Sequence, residues 1–429
     1  MSTPEPRAAR RGRARPPSPP RTADFRSSVH DPRVVARVGA LLGSAVVVLF
    51  VTGMVSHLHQ HPVPWLGFGP SPSWGYRVTQ GVHVAVGIAC VPLLLAKLYA
   101  AYPRLFERPV LRGWRHAVER ASIAVLVAAT TFQVVTGVLN VFQVYPWRFS
   151  FVAVHYATAW VVLGSVVAHV GVKLPTIVVA LRASLADAWP EVAGSARATT
   201  GHGAPATAPS TGVPPSGAPA AGAPEGEPTR RGFLAAVAAT TLGVVALSVG
   251  QTVRPLAPFA VLAPRDPRVG PQGLPVNKTA RSAGVEDTAT DPAWRLVLDG
   301  PAGTRELSRD ELLGLGLVTA VVPIACVEGW SATATWQGVR VRDLVRLVGG
   351  TERDDVRVES LQEGGSYRES FLPAAYVAAD DTLLALRLSG EDLDLDHGYP
   401  ARVIAPNRPG VLQTKWVSRV AVLPAEKAA

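Results

Sequence analysis

The sequence predicts a multi-domain chain: an α-helical membrane bundle of four spans plus a fifth tethering helix, followed by an α+β domain. Three observations predict this. The chain has 429 residues, 48% hydrophobic and only 17% charged, too apolar for an ordinary soluble protein and long enough for two or three units. Its apolar residues gather in four stretches of span length, then a fifth beyond a segment rich in Ala, Pro and Gly. Past residue 260, short helix signals are scattered among many strand signals, the α+β pattern.

Charge separates the two parts. The chain carries a net charge of +10, yet residues 260–429 hold 19 Lys+Arg against 23 Asp+Glu. The excess therefore flanks the apolar segments, where basic residues set membrane orientation. No nucleic acid is expected as a partner. With Cys90 in an apolar span and Cys326 in a separate domain, no intrachain disulfide is expected.

Residues 1–32, rich in Arg, Pro and Ser, read as a disordered basic cytoplasmic tail. No cleavable signal is expected, because the first apolar run is of full span length and others follow it. Residues 33–180 form the four-helix membrane domain, with spans at 38–58, 78–96, 121–144 and 149–172. Each is close to the ~20 residues that cross ~30 Å of hydrocarbon. Arginines before the first span, and Arg104, Arg108, Arg112, Arg115 and Arg120 after the second, mark the cytoplasmic side. Residues 57–75 contain no Lys or Arg but carry Trp65, Phe68 and Trp74, an outer interfacial pattern.

Residues 181–228 are a linker dominated by Ala, Pro and Gly. Residues 229–253 open with Thr229-Arg230-Arg231-Gly232-Phe233-Leu234 and continue as a fifth apolar helix. The hexapeptide resembles the twin-arginine export signal, here internal; the plainer reading is a positive-inside arginine pair before an ordinary span. In the last domain, residues 254–429, the stretch 262–290 is irregular. Strands are expected at 294–298, 318–325, 356–361, 401–405 and 415–423, with a turn at Asp299-Gly300. Ser308-x-x-Glu311 reads as a capping box that starts a short helix, and residues 341–348 read as an amphipathic helix.

Cys326 stands in Pro323-Ile-Ala-Cys326-Val-Glu-Gly-Trp-Ser331, followed by Trp336-Gln-Gly-Val339. Free cysteine usually behaves as a small hydrophobe. This one falls where the apolar strand breaks into Glu328, Gly329 and Ser331, and a thiolate at a strand end can present a soft ligand to a metal. A single thiolate holds neither zinc nor an iron–sulfur cluster. A metal that brings its other ligands on an organic cofactor needs only one.

Cys-Val-Glu-Gly-Trp-Ser with Trp-x-Gly-Val behind it resembles the molybdenum-ligating segment of the sulfite oxidase superfamily, most of all the exported methionine sulfoxide reductase catalytic subunits. The likeness covers roughly the last 165 residues, a single-domain length. It implies Mo-molybdopterin, with Cys326 as the catalytic protein ligand to molybdenum. Arg402 and the following Gln413, Thr414 and Lys415 resemble the pterin-holding loop, and Leu274-Pro-Val-Asn277 the segment whose asparagine binds the pterin. Arginine and lysine suit a pterin phosphate through charge-assisted hydrogen bonds. Ser360 stands where relatives have threonine, and His397 departs from their asparagine. The implied substrate is a small or protein-bound sulfur compound. Sulfite oxidation and sulfoxide reduction share one oxo-transfer centre; Tyr367, Arg368 and Arg408 are candidates for anion recognition, whereas Glu328, if it faces the pocket, favours a neutral sulfoxide.

Ionisable residues inside spans are functional candidates. His83 and His155 fall at similar depth near the outer face, and facing imidazoles are how a b-type haem is held. His169 lies on nearly the same helix face as His155, a spacing that resembles four-helix di-haem cytochromes, but the matching position on the second span is Lys97. His57 is a rival outer ligand, and histidines in a haem-free anchor are the plainer alternative. The expectation is an extracytoplasmic oxidoreductase domain on a multi-pass cell-membrane anchor in lipid, exchanging electrons with the quinone pool or a redox partner protein. The alternatives are a sulfite-oxidase-like dehydrogenase and a cofactor-free anchored binding domain.

Overall fold

The computed structural model describes residues 25, 27–63, 65–185 and 228–423. Most of the basic tail and most of the Ala/Pro/Gly linker lie outside the described residues. Among the described residues, five helices are long and apolar enough to cross a membrane. These are α1 (Pro32–Gln60), α2 (Gly75–Ala101), α3 (Trp114–Val141), α4 (Phe151–Arg182) and α5 (Arg230–Ala246). The first two enclose their predicted spans, whereas α3 ends three residues before its span does and α4 starts two residues into its own; all four run past the apolar window at one end or both, and polar side chains cap the starts of α1 and α4. Asp31 accepts from Arg33 N at the start of α1, and Ser150 accepts from Ala153 N at the start of α4. Leu41, Val47, Val51, Val167, Leu174 and Leu242 stay exposed on the outside of the bundle, a surface suited to hydrocarbon.

The tail is ordered sooner than the sequence suggests. Ser28–His30 form a short 3-10 turn and Val29 is fully buried. The cause is a polar knot at this end of the bundle: Asp31 pairs with Arg33 at 2.8 Å and with Arg230 at 2.8 Å. Arg33 also reaches Ser184 O, and Arg37 donates to Ala183 O at 2.9 Å. The starts of α1 and α5 and the end of α4 are thereby tied together. Arg104, Arg108, Arg112, Arg115 and Arg120 lie between the end of α2 and the first turns of α3, and Lys173 pairs with Glu119 of α3, so one end of the bundle is strongly cationic.

The C-terminal domain is α+β. One five-stranded sheet has the order β2 (Gly303–Leu307), β1 (Leu296–Gly300), β10 (Val417–Leu423), β5 (Asp355–Ser360), β6 (Glu369–Leu372). The other runs β3 (Val318–Ala325), β4 (Ser331–Arg340), β7 (Leu383–Leu388), β8 (Glu391–Asp392), with β9 (Arg402–Ile404) also on β7. Only β1 and β10 pair in parallel. The core lies between the sheets: Leu296, Leu298, Val356 and Val358 pack with Leu344 and Val345 of the helix Val341–Leu347 and with Leu384 and Val403. Each such side chain contributes about 1.5–3 kcal/mol when fully buried. The capping box forms, Ser308 N donating to Glu311 at 2.7 Å. The stretch expected to be irregular holds two short helices, Ala280–Ala283 and Glu286–Thr290, the first capped by Thr279.

Candidate active site

Cys326 follows β3 directly and is almost fully buried. The turn it opens is closed from both sides, Gly329 N donating to Cys326 O and Cys326 N to Trp330 O, each at 3.0 Å. Pro409 bridges to Ala325, so the loop after β9 is laid beside the cysteine. Asn277 Nδ2 stands 3.6 Å from Cys326 Sγ. Burial pushes the thiol well above its ordinary range, and the charge of Glu328 adds to the shift. Metal ligation in general favours a thiolate against such a shift, by displacing the proton.

A small pocket opens on this cysteine, lined by Asn277, Cys326, Trp330, His397, Arg402 and Lys415 among others. Its cations are buried. Arg402 donates to His397 O at 3.2 Å and lies over the Trp336 ring. Its Nε has no partner among the described residues, and burial lowers it to about 10. Lys415 Nζ donates to Asp396 O at 2.7 Å and Lys278 O at 2.9 Å, which leaves one ammonium proton. Burial, then Arg402, lowers it to about 7. Neither cation makes an ion pair among the described residues. Two buried cations without a carboxylate partner suit an anionic group. His397 Nε2 donates to Pro271 O at 2.7 Å; burial lowers it to about 4, so it is neutral.

The structure thus brings together Cys326, Asn277, His397, Arg402 and Lys415. Ser360, Gln413 and Thr414 stand behind the pocket. Ser360 Oγ donates to Lys415 O at 2.8 Å, Gln413 Nε2 to Arg408 O at 3.0 Å, and Thr414 Oγ1 pairs with Ser370 Oγ at 2.7 Å. The anion-recognition set is not assembled. Arg408 is buried on the carbonyls of Leu412 and Phe371, Arg368 is paired with Glu369 at 2.9 Å, and Tyr367 donates to Gln60 at 3.2 Å. Glu328 is buried, accepting from Trp330 Nε1 at 3.0 Å and from Gln143 at 2.7 Å.

The other candidate site lies within the bundle. His83 on α2 and His155 on α4 face each other with ring centroids 6.4 Å apart. Their Nδ1 atoms are engaged by Thr52 at 3.0 Å and Thr136 at 3.2 Å, so both Nε2 atoms are left for another partner. Gly53 lets α1 approach this closely, since a Cβ there would lie 3.0 Å from His83 Cε1. The cavity around them is also lined by His57, Tyr156 and Val327. His57 stacks on Tyr156 at 3.9 Å. Lys97 donates to Val35 O at 2.7 Å and offers His169 no matching imidazole.

Sequence reasoning missed the seam between the two units. Asn407 Oδ1 accepts from Tyr76 N at 2.6 Å, its Nδ2 donates to Gly69 O at 2.8 Å, and its own N–H donates to Ser73 O at 3.2 Å. Gln80 Nε2 donates to Val327 O at 2.6 Å, and Thr252 bonds Gly329 O. Gly329 has φ +95°, and a Cβ there would come within 2.7 Å of Val84, so α2 approaches the turn only over a glycine. No local spacing announces contacts between residues so far apart in the chain.

Residues 283–429 match the family model described as oxidoreductase molybdopterin binding domain. The chain is 32% identical over 168 residues to sulfite oxidase of Gallus gallus, covering 32% of this chain and 37% of that protein. It is 31% identical over 131 residues to a putative protein-methionine-sulfoxide reductase subunit YedZ1 of Azospira oryzae, covering 30% of this chain and 49% of that protein. The solved sulfane dehydrogenase SoxCD of Paracoccus pantotrophus overlaps 30% of this chain and 38% of its own at 23% identity and a TM-score of 0.28, which carries no argument. The chain spans less than half the length of these curated relatives. The match over residues 283–429 marks this part of the chain as an oxidoreductase similar to the molybdopterin-binding class. Within that class its likeness is to the sulfite oxidase superfamily.

Proposed function

We propose that this chain is a membrane-anchored molybdopterin oxidoreductase that exchanges electrons with its own helical bundle. Cys326 would hold molybdenum, with Asn277, His397, Arg402 and Lys415 around the pterin and Ser360, Gln413 and Thr414 shaping the wall behind them. The unmatched Arg402 Nε and the free proton of Lys415 fit an anionic pterin phosphate. The bound centre would supply oxo transfer to or from sulfur. His83 and His155 would hold a b-type haem: two imidazoles that share one metal at about 2 Å from each nitrogen put their ring centres roughly 6 Å apart. His57, stacked on Tyr156, is the weaker candidate.

One observation carries the reading. Val327, bonded directly to Cys326, lines the same cavity as His83 and His155. The cationic end of the bundle would face the cytoplasm, which puts the oxidoreductase domain on the outer side of the cell membrane. Electrons would come from the quinone pool or a redox partner. With Arg408 and Arg368 already engaged, a neutral sulfoxide is favoured over sulfite. The sulfite oxidase relatives support the second reading, a sulfite dehydrogenase.

The test is metal analysis and a reduced-minus-oxidised spectrum of the detergent-purified chain, followed by turnover. Molybdenum and haem with methionine sulfoxide reduction are expected. Sulfite-dependent haem reduction without sulfoxide turnover selects the second reading, and absence of molybdenum overturns both.

A further inference from the structure

The seam between bundle and domain is made of specific polar contacts, and one of them lies between the two candidate centres. Gln80 stands three residues before His83 on α2, so the two project from neighbouring positions on one helix face. Its Nε2 donates to the carbonyl of Val327 at 2.6 Å, and Val327 is bonded to Cys326. Gln80 is more than nine-tenths buried, and its Oε1 has no partner among the described residues. An apolar side chain would avoid burying that oxygen; what the amide offers is its N–H.

We propose that Gln80 is a positioning residue for electron exchange between the bundle and the Cys326 site. It fixes the Cys326–Val327 peptide against α2 and supplies a hydrogen-bonded link from the helix of His83 to the main chain of the thiolate ligand. Electrons cross a bonded and hydrogen-bonded path more readily than a van der Waals gap. The inference rests on the haem and molybdenum reading above. The overall exchange balances with a membrane quinol as reductant. The quinol gives two electrons and two protons and becomes quinone. The sulfoxide takes them, its S–O bond breaks, two O–H bonds form, and sulfide and water leave. Each electron crosses the Gln80 link singly.

The test compares the full-length holoprotein with Gln80→Met, which keeps side-chain length and removes the donor. Haem and molybdenum content, the haem spectrum and its midpoint potential are measured first, then reoxidation of pre-reduced haem by methionine sulfoxide. Gln80→Met is expected to slow that reoxidation severalfold, while content, spectrum and potential match the parent. In cofactor-free protein, hydrogen exchange over residues 326–330 is expected to speed up, a readout that needs no turnover. Equal reoxidation in parent and variant, with both cofactors present, overturns the proposal. Unchanged exchange over that turn overturns it as well, including where Gln80→Met does not retain cofactor. Failure of the parent reading shows separately, as missing haem or molybdenum in the unsubstituted chain.

Discussion

The domain pocket and the bundle cavity differ in how they could hold a group that side chains cannot make. The pocket around Cys326 gathers Asn277, His397, Arg402 and Lys415 from separate loops and strands, and its recognition is cationic and directional. The bundle cavity is lined mainly by apolar side chains and relies on two histidines from two helices. A polar pocket depends on long-range folding, because each buried charge has to meet its partner. A helical cavity depends on helix packing and on threonines that orient each imidazole.

The contrast gives graded predictions. Cys326→Ser is expected to abolish turnover and strip molybdenum while leaving the haem band, read by elemental analysis and spectrum; loss of both cofactors together would break the separation. His83→Ala is expected to remove the haem band and leave molybdenum in place, with electron delivery through the bundle lost. Arg402→Ala removes a charge-assisted donor worth about 1.5–3 kcal/mol, roughly a ten- to a hundredfold loss in cofactor retention, read as molybdenum per chain. Asn407→Ala touches neither site and is expected to cost about 1–3 kcal/mol, seen as earlier melting or faster proteolysis of the 61–74 loop.

A further effect is one of pH and belongs to the pocket alone. Burial lowers His397 from 6.5 to about 4, so the unfolded chain binds a proton that the folded one refuses. Stability of the cofactor-free protein should therefore fall as pH drops from about 6.5 towards 4. His397→Asn should flatten the melting temperature across that window, and an unchanged slope would remove His397 as the cause.

Features that rest on local pattern were legible in the sequence. The strand ending at Ala325, the box of Ser308 and Glu311, and the spans that became α1 to α4 all follow from periodicity, caps or length. Cys326 and Lys415 were legible because scarce residues fell in a known order. The strands β4 and β7 were missed: the first is hidden under its small residues, Ala332, Ala334 and Gly338, and the second reads as an apolar run of ambiguous type. The division between Arg402 and Lys415 in the pocket and Gln413 and Thr414 behind it depends on how β9 and the following loop turn. Gln80, Gln143 and Asn407 carry no signal of their own, since an ordinary amide becomes informative only when another unit docks on it.

The seam made by Asn407, Gln80 and Thr252 joins two halves of one polypeptide. Gln143–Glu328, Tyr367–Gln60 and Arg77–Thr333 add to it, and polar contacts of this kind gain from being held on one chain. Tethered through α5, the halves meet at an effective concentration on the order of millimolar or above, whatever the number of copies in the membrane. One gene product thereby fixes the ratio of the two units at parity, and the contact lasts because neither side can leave.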